Sequence, residues 1–223
     1  VIRGTPLLVQ LFISGMNSAL TPWMYSKIKK GDIRSMRKVL QLLSIVVVGI
    51  AVALMLISPE MVLIFGSPKY REAVYVIPPV AASVFFIFIY NILSMPQFYY
   101  EKTQFLMAAS MAAAGANVVL NFIFIRLFGY IAAGYTTLAC YMLYSVGHYI
   151  VSKQILVNEG IQENLMNPGF LLACSVFLIG ASIICNLIFP YRILRYAILL
   201  ASAGLVFWKK ELLLKTMADI RKK

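Results

Sequence analysis

The chain has 223 residues, 61% hydrophobic and 13% charged, with a mean hydropathy of +0.85 and a formal net charge of +12. A soluble domain is nearer half apolar and a quarter charged, so the charges are too few to coat a soluble surface and the composition is that of an all-α integral membrane protein. The apolar runs are about 20 residues long, which suits spanning helices rather than barrel strands.

The positive balance does not call for nucleic acid, because the charges fall in loops between spans rather than on one soluble face. A topology signal and attraction to anionic membrane lipid account for it. Cys140, Cys174 and Cys185 all lie in apolar runs, without disulfide or metal spacing. A single histidine excludes a His-based metal cluster. No cofactor is implied. The chain begins Val1-Ile2-Arg3 with no leader pattern, and reads as a fragment of a longer protein.

About seven spans are predicted. The first covers residues 5–26, with polar Gln10, Ser14, Asn17 and Ser18 inside it and Pro22 near its end. Trp23 and Tyr25 mark an interface, followed by a loop rich in Lys and Arg over residues 27–38. The second span, residues 39–57, is nearly all apolar and is expected to face lipid, Val47 included. Pro59 should end it, with a short amphipathic run at 60–65 and an outer loop at 66–71. The third span, residues 74–98, holds Pro78, Pro79 and Pro96, which free backbone carbonyls and allow a kink. It also carries Asn91, Ser94 and Gln97. The fourth, residues 105–125, has an Ala/Gly face that reads as a tight helix contact through Ala112, Gly115 and Ala116. The fifth, residues 130–151, ends near His148.

Residues 154–168 are polar, with Gly, Asn and Pro, and read as a cytoplasmic loop. Spans six and seven follow at 169–189 and 193–208, then a basic amphipathic tail at 209–223. Residues 1–153 thus form a five-helix unit and 169–208 add two helices. With the 27–38 loop inside, fourteen of the twenty Lys and Arg fall on inner segments. The N-terminus is then outside and the C-terminus cytoplasmic.

Residues 117–137 form a helical hairpin. Asn117 and Asn121 are four apart and share a helix face. Gly129 breaks the apolar run, and Ala132, Ala133 and Gly134 open the next helix with small residues that allow close backbone approach. Asn117, Asn121, Ile125, Gly129, Ala133, Thr137 and Leu138 match a pattern of the polysaccharide-biosynthesis family of oligosaccharide flippases, a MOP-type family related to lipid II flippases and MATE multidrug exporters. Arg126, Ala132 and Gly134 depart from it, standing where Pro, Gly and Ala are usual. Pro22-Trp23-Met24-Tyr25, and Pro59 with Gly66 and Tyr70-Arg71-Glu72-Ala73, also resemble the family.

The resemblance implies the C-terminal lobe of such a flippase, in the bacterial cytoplasmic membrane. It implies alternating-access transfer of an undecaprenyl-pyrophosphate-linked oligosaccharide. Its partners would be the lipid-linked glycan, membrane lipids and a coupling ion, H+ or Na+, with no nucleic acid. Candidate path residues are Arg3, Gln10, Asn17, Asn91, Gln97, Asn117 and Asn121; Gly115, Gly129, Ala133, Gly134 and Thr137 form the packing motif. Asn117 and Asn121 either line a path or make an interhelical hydrogen bond. His148 is either proton-linked or packed, and Arg3 either faces a cavity or is a solvated terminus. No acid pair, activated nucleophile or phosphate-cradling Gly loop is present, so no enzyme is expected. A MATE-type exporter needs an acidic cavity residue, and none lies mid-span. A non-transporting membrane subunit is the third reading.

Overall fold

The computed structural model describes the backbone of residues 4–65 and 68–208, with side chains at 18–64 and 72–201. It contains α1 (Gly4–Lys29), α2 (Ile33–Phe65), a 3-10 segment (Pro68–Val76), α3 (Ile77–Tyr99), α4 (Gln104–Phe128), α5 (Ala132–Asn158), α6 (Pro168–Ile188) and α7 (Arg192–Trp208), and no strand among the described residues. Four stretches are long and apolar enough to cross a membrane: Ile33–Ile64, Glu72–Tyr99, Gln104–Phe128 and Pro168–Ile188. This is an all-α protein of membrane type. The predicted count of seven therefore stands at four by length and composition. α7 has 17 residues. α5 is long, at 27 residues, but Tyr, Thr, Ser and His dilute its apolar character.

The helices alternate between two ends of the bundle. At one end Tyr25 meets Tyr99, with ring centroids 5.3 Å apart, and Arg37 donates to Glu163 at 2.7 Å. At the other, Tyr130 donates to Glu72 at 3.1 Å and Tyr75 meets Phe189 at 5.6 Å. The basic end and the Gly129 end are thus opposite.

α3 is the spine. Its Ala81, Ala82, Phe85, Phe88, Ile89, Ile92 and Leu93 are buried, and it packs on α1, α2, α5 and α6. Pro78 and Pro79 occupy its first turn, where a missing N–H costs nothing, so only Pro96 interrupts its interior. α4 is the opposite case. It buries no residue and packs chiefly on α5. Met107, Met111, Val118 and Phe122 are exposed on it, a surface suited to hydrocarbon.

Several sequence expectations are corrected. Pro59 does not end the second span; α2 runs through it for 33 residues. Proline removes one helix bond and frees the Met55 carbonyl. Ser58 Oγ donates to that carbonyl at 2.7 Å, so the helix continues. Val47 is not lipid-facing but 1% exposed. Ala112, Gly115 and Ala116 do not form a tight contact: all three are exposed, and a Cβ on Gly115 would meet nothing. They lie on faces of α4 turned away from α5. Gly129 is exposed and ends α4 with φ +76°, a backbone setting that favours glycine. Gly134 is buried, yet its close approach is to the start of α3 rather than to α4. Ala133 is half-buried, and its carbonyl accepts from Thr137 Oγ1 at 2.8 Å. The loop predicted at 154–168 is shorter, because α5 extends to Asn158 and α6 begins at Pro168, capped by Asn167.

The turn between α1 and α2 is built on charge. Gly31 takes φ +67° and Asp32 caps α2, accepting from Ser35 N at 3.3 Å. Lys27, buried at the end of α1, donates to Asp32 at 2.6 Å. That hydrogen bond holds the Asp32 carboxyl down at about 2. Its native value lies below its unfolded one, so its contribution is present above the ordinary carboxylate range and lost as pH falls through about 2.

The close approach at Gly134 gives a test. A Cβ there would lie 2.8 Å from Pro79 Cγ and 2.9 Å from the Val76 carbonyl. Gly134→Ala should therefore destabilise the bundle by about 1–3 kcal/mol, the scale of overpacking. Gly115→Ala should leave stability unchanged or slightly raise it. Thermal unfolding of the two purified variants in the same detergent decides; equal melting points would overturn the close-contact argument.

Candidate functional site

The polar residues of α5 recur at helical spacing. Thr136, Tyr141, Ser145, His148 and Ser152 fall three to five residues apart, with Tyr144 beside Ser145, which turns them toward α3 and α4. α5 runs parallel to α3 and antiparallel to α4, so all of them but Ser152 meet a partner at their own depth.

Near the Gly129 end, Thr136 Oγ1 donates to Asn121 Oδ1 at 2.6 Å, and Asn121 Nδ2 donates to Asn117 Oδ1 at 2.9 Å. In the middle, the ring of Tyr90 on α3 lies parallel to Tyr141 with centroids 6.2 Å apart, and Tyr144 approaches it at 4.7 Å. Ser110 on α4 and the Tyr144 hydroxyl share a hydrogen bond at 2.8 Å. Ser145 donates to the Phe86 carbonyl at 2.9 Å.

Toward the basic end, Gln97 Nε2 lies 2.8 Å from His148 Nδ1 and 3.3 Å from the Leu93 carbonyl. A carbonyl only accepts, so the amide presents its NH2 group to both. Nδ1 is then the acceptor, and the neutral imidazole carries its hydrogen on Nε2. Both side chains are fully buried. The rings of Tyr144, Phe105 and Tyr90 surround the imidazole at 4.5, 5.5 and 5.9 Å. From Thr136 to Ser152 the ladder rises about 24 Å at 1.5 Å per residue. A hydrocarbon core is about 30 Å thick. No charged side chain stands on the ladder.

The structure therefore joins Asn121 directly to Asn117 and, through its amide oxygen, to Thr136, and places Gln97 on His148. It does not join these pairs directly to each other. Asn91 is next to Tyr90, but its amide donates to the Ile87 carbonyl of its own helix at 2.7 Å. Arg3 lies outside the described residues. Gln10 and Asn17 sit on α1, but their side chains lie outside them. Missed in the sequence were the tyrosines 90, 141 and 144 and the serines 145 and 152. The spacing of Tyr141, Tyr144, His148 and Ser152 was the available signal.

A buried ion pair was missed too. Arg195, 3% exposed on α7, gives Nη1 to Glu60 Oε2 at 2.8 Å and Nη2 to Oε1 at 2.9 Å. Nη1 also donates to the Leu56 carbonyl at 2.8 Å, and the Tyr196 hydroxyl donates to Glu60 Oε1 at 2.9 Å. Glu60 follows Pro59, so the fork clamps α7 across the proline-weakened turn of α2. The planar guanidinium fits this two-point grip and an ammonium does not. Glu60 is thereby neutralised rather than offered to a ligand.

No known protein family, curated protein or solved structure matches this chain.

The clamp predicts an asymmetric pair of variants. Arg195→Met leaves Glu60 only the Tyr196 hydroxyl and the exposed Arg192 guanidinium 4.0 Å away and should cost about 1–3 kcal/mol, whereas Glu60→Leu combined with Arg195→Met should recover most of that loss. Unfolding in detergent, followed for the single and double variants, measures both. A double variant as unstable as the single one would remove the poorly compensated Glu60 charge as the cause.

Proposed function

We propose that the chain is part of a membrane transporter of the flippase type. It would carry an anionic, lipid-linked glycan, of the undecaprenyl-pyrophosphate-oligosaccharide class, from the inner to the outer leaflet of a bacterial cytoplasmic membrane. All seven helices cross in this reading. The α1–α2 turn with the basic residues on either side of it, and the C-terminal tail, are cytoplasmic, and the Gly129 turn is outside. The lipid tail stays in the bilayer while the sugar crosses beside the helices of this lobe, which rocks against a second lobe.

The observation that carries the reading is the uncharged ladder along α5. Tyrosine faces, amides and hydroxyls recur over most of a bilayer's depth. Such groups stack on sugar rings and hydrogen-bond their hydroxyls without the desolvation cost of a buried charge. The half-buried acid Glu60 is held by Arg195 and stands off the ladder, so no carboxylate on the ladder attracts a drug cation as a MATE-type exporter requires. The match of residues 117–138 to the flippase pattern adds weight.

Two measurements test the reading. Loss of the gene should lower the surface glycan and raise the inner-leaflet lipid-linked precursor. Intact surface glycan with raised sensitivity to cationic dyes would favour the exporter instead. Tyr141→Ala, which loses the face presented to Tyr90, should slow glycan export roughly fivefold to tenfold, the scale of one lost aromatic contact, with the protein still in the membrane. For orientation, a cysteine at residue 30 should resist an impermeant thiol reagent on intact cells and one at residue 130 should react. The reverse pattern would invert the topology.

A further inference from the structure

Three polar atoms at the basic end of the ladder are buried and have no hydrogen-bond partner: Gln97 Oε1, His148 Nε2 and Ser152 Oγ. Their residues are 0%, 0% and 1% exposed. A buried polar group without a partner is costly, so three on adjacent side chains need a reason. His148 and Ser152 are one helical turn apart on the same face of α5, and Gln97 reaches His148 from α3.

A cleft of about 510 Å³ opens beside them at the same end, lined by Glu101, Lys102 and Gln104 on one side and Gln154, Asn158 and Glu159 on the other. Val151 and Ile155, which flank Ser152 in sequence, also line it, as does Phe105. The Phe105 ring meets the His148 ring edge to face at 5.5 Å and lies 3.4 Å from where a Cβ on Gly147 would stand. One aromatic ring thus touches the polar cleft and the buried imidazole at once.

We propose that Gln97 and His148, with Ser152 one turn on, form a proton-binding site that is reached from this cleft past the ring of Phe105. As the coupling site of the transporter it rests on the function proposed above, and it names the coupling ion as H+ rather than Na+. An imidazole with one amide oxygen and one hydroxyl is a poor cage for a hard alkali cation and a good acceptor for a proton.

The step balances with no co-reactant beyond water. A hydronium ion in the cleft gives a proton to Nδ1, whose lone pair accepts from the Gln97 amide in the neutral state. Imidazolium forms and water is left. The amide then turns over about its last torsion. Oε1, unpartnered before, accepts from the new Nδ1–H, and the weak 3.3 Å bond to the Leu93 carbonyl is given up. The amide thus serves both protonation states. The titratable groups against the imidazole are the phenols of Tyr90 on α3 and Tyr144 on α5. From α4 only the apolar Phe105 ring meets it, and Glu101, Lys102 and Glu159 stand in the cleft beyond that ring.

His148 is the sole histidine of the chain, so every histidine signal reports on this site. The full chain is labelled with ¹⁵N-histidine, placed in lipid nanodiscs and titrated from about pH 8 to about pH 4, bracketing the free imidazole. The expected result is a neutral ring with hydrogen on Nε2 at the alkaline end, changing to imidazolium on acidification. Gln97→Leu should mix the two neutral tautomers. Phe105→Ala should speed modification by diethyl pyrocarbonate roughly tenfold or more, because removing the ring opens the site to water. Phe105→Leu should give a smaller increase if the alanine variant fails to fold. A ring that stays neutral across the range in both the parent and the Phe105 variants would overturn proton binding. Unchanged modification rates in both variants would overturn the route past Phe105. Either failure leaves a glycan-export defect on gene loss untouched. Normal export on gene loss would sink the transporter reading while the titration of His148 stood.

Discussion

A helix in hydrocarbon must satisfy its polar groups within the protein, because the solvent offers no hydrogen bonds. That constraint governs the position of α5. With Thr136, Ser145, His148 and Ser152 on its inner face, α5 cannot present that face to lipid, and it sits between α3 and α4. α3 supplies the Phe86 carbonyl and the Gln97 amide; α4 supplies Asn121 and Ser110. Apolar contact alone would let these helices pack in several orders. The polar set on α5 selects one, since a rotation or a one-turn slip would strand several donors at once. Individual membrane hydrogen bonds are weak, about 0.6 kcal/mol on average, so register comes from the number of bonds rather than the strength of any.

The sequence made the helices legible because their apolar lengths and turn residues coincide. Gly129 and the Asn167-Pro168 pair mark ends in the expected places, whereas α1 and α2 run into the predicted 27–38 loop and leave only a tight turn at Gly31. Pro59 misled for a physical reason: proline ends helices where water can take up the freed carbonyl, but here Ser58 takes it up. The lesson at Gly115 is similar. Small residues permit close approach without requiring it, and whether a neighbour arrives depends on the rest of the bundle. At Gly134 a neighbour does arrive, from the first turn of α3, which no local pattern could have named.

The candidate site was legible in halves. Asn117 and Asn121 advertise a shared face through their spacing, and Gln97 stands out as an amide in an apolar span. Their partners do not, because tyrosine, serine and threonine are ordinary in membrane helices. The Glu60–Arg195 clamp was hidden more deeply still. Its members are separated by 135 positions, and each sits near a helix end, where a charge reads as interfacial. Only their meeting removes both from solvent. The same meeting separates charge from polarity in the bundle: the ionised groups hold α2 to α7, and the ladder on α5 is left neutral.

That separation bears on α4. α4 buries no side chain, and its side-chain hydrogen bonds to α5 are those of Asn121 with Thr136 and Ser110 with Tyr144, while α3 is enclosed by four helices. At the membrane scale for hydrogen bonds, two such ties amount to about 1.2 kcal/mol, and the remaining grip is side-chain contact along one face. α4 can consequently be displaced without exposing a buried side chain of its own. It also carries Phe105, the ring against His148. Any shift of α4 away from α5 would therefore break the two hydrogen bonds on the ladder and withdraw the cover from the imidazole in one movement. Hydration of the ladder and access to the buried base are not independent properties of this bundle; both are set by where α4 lies.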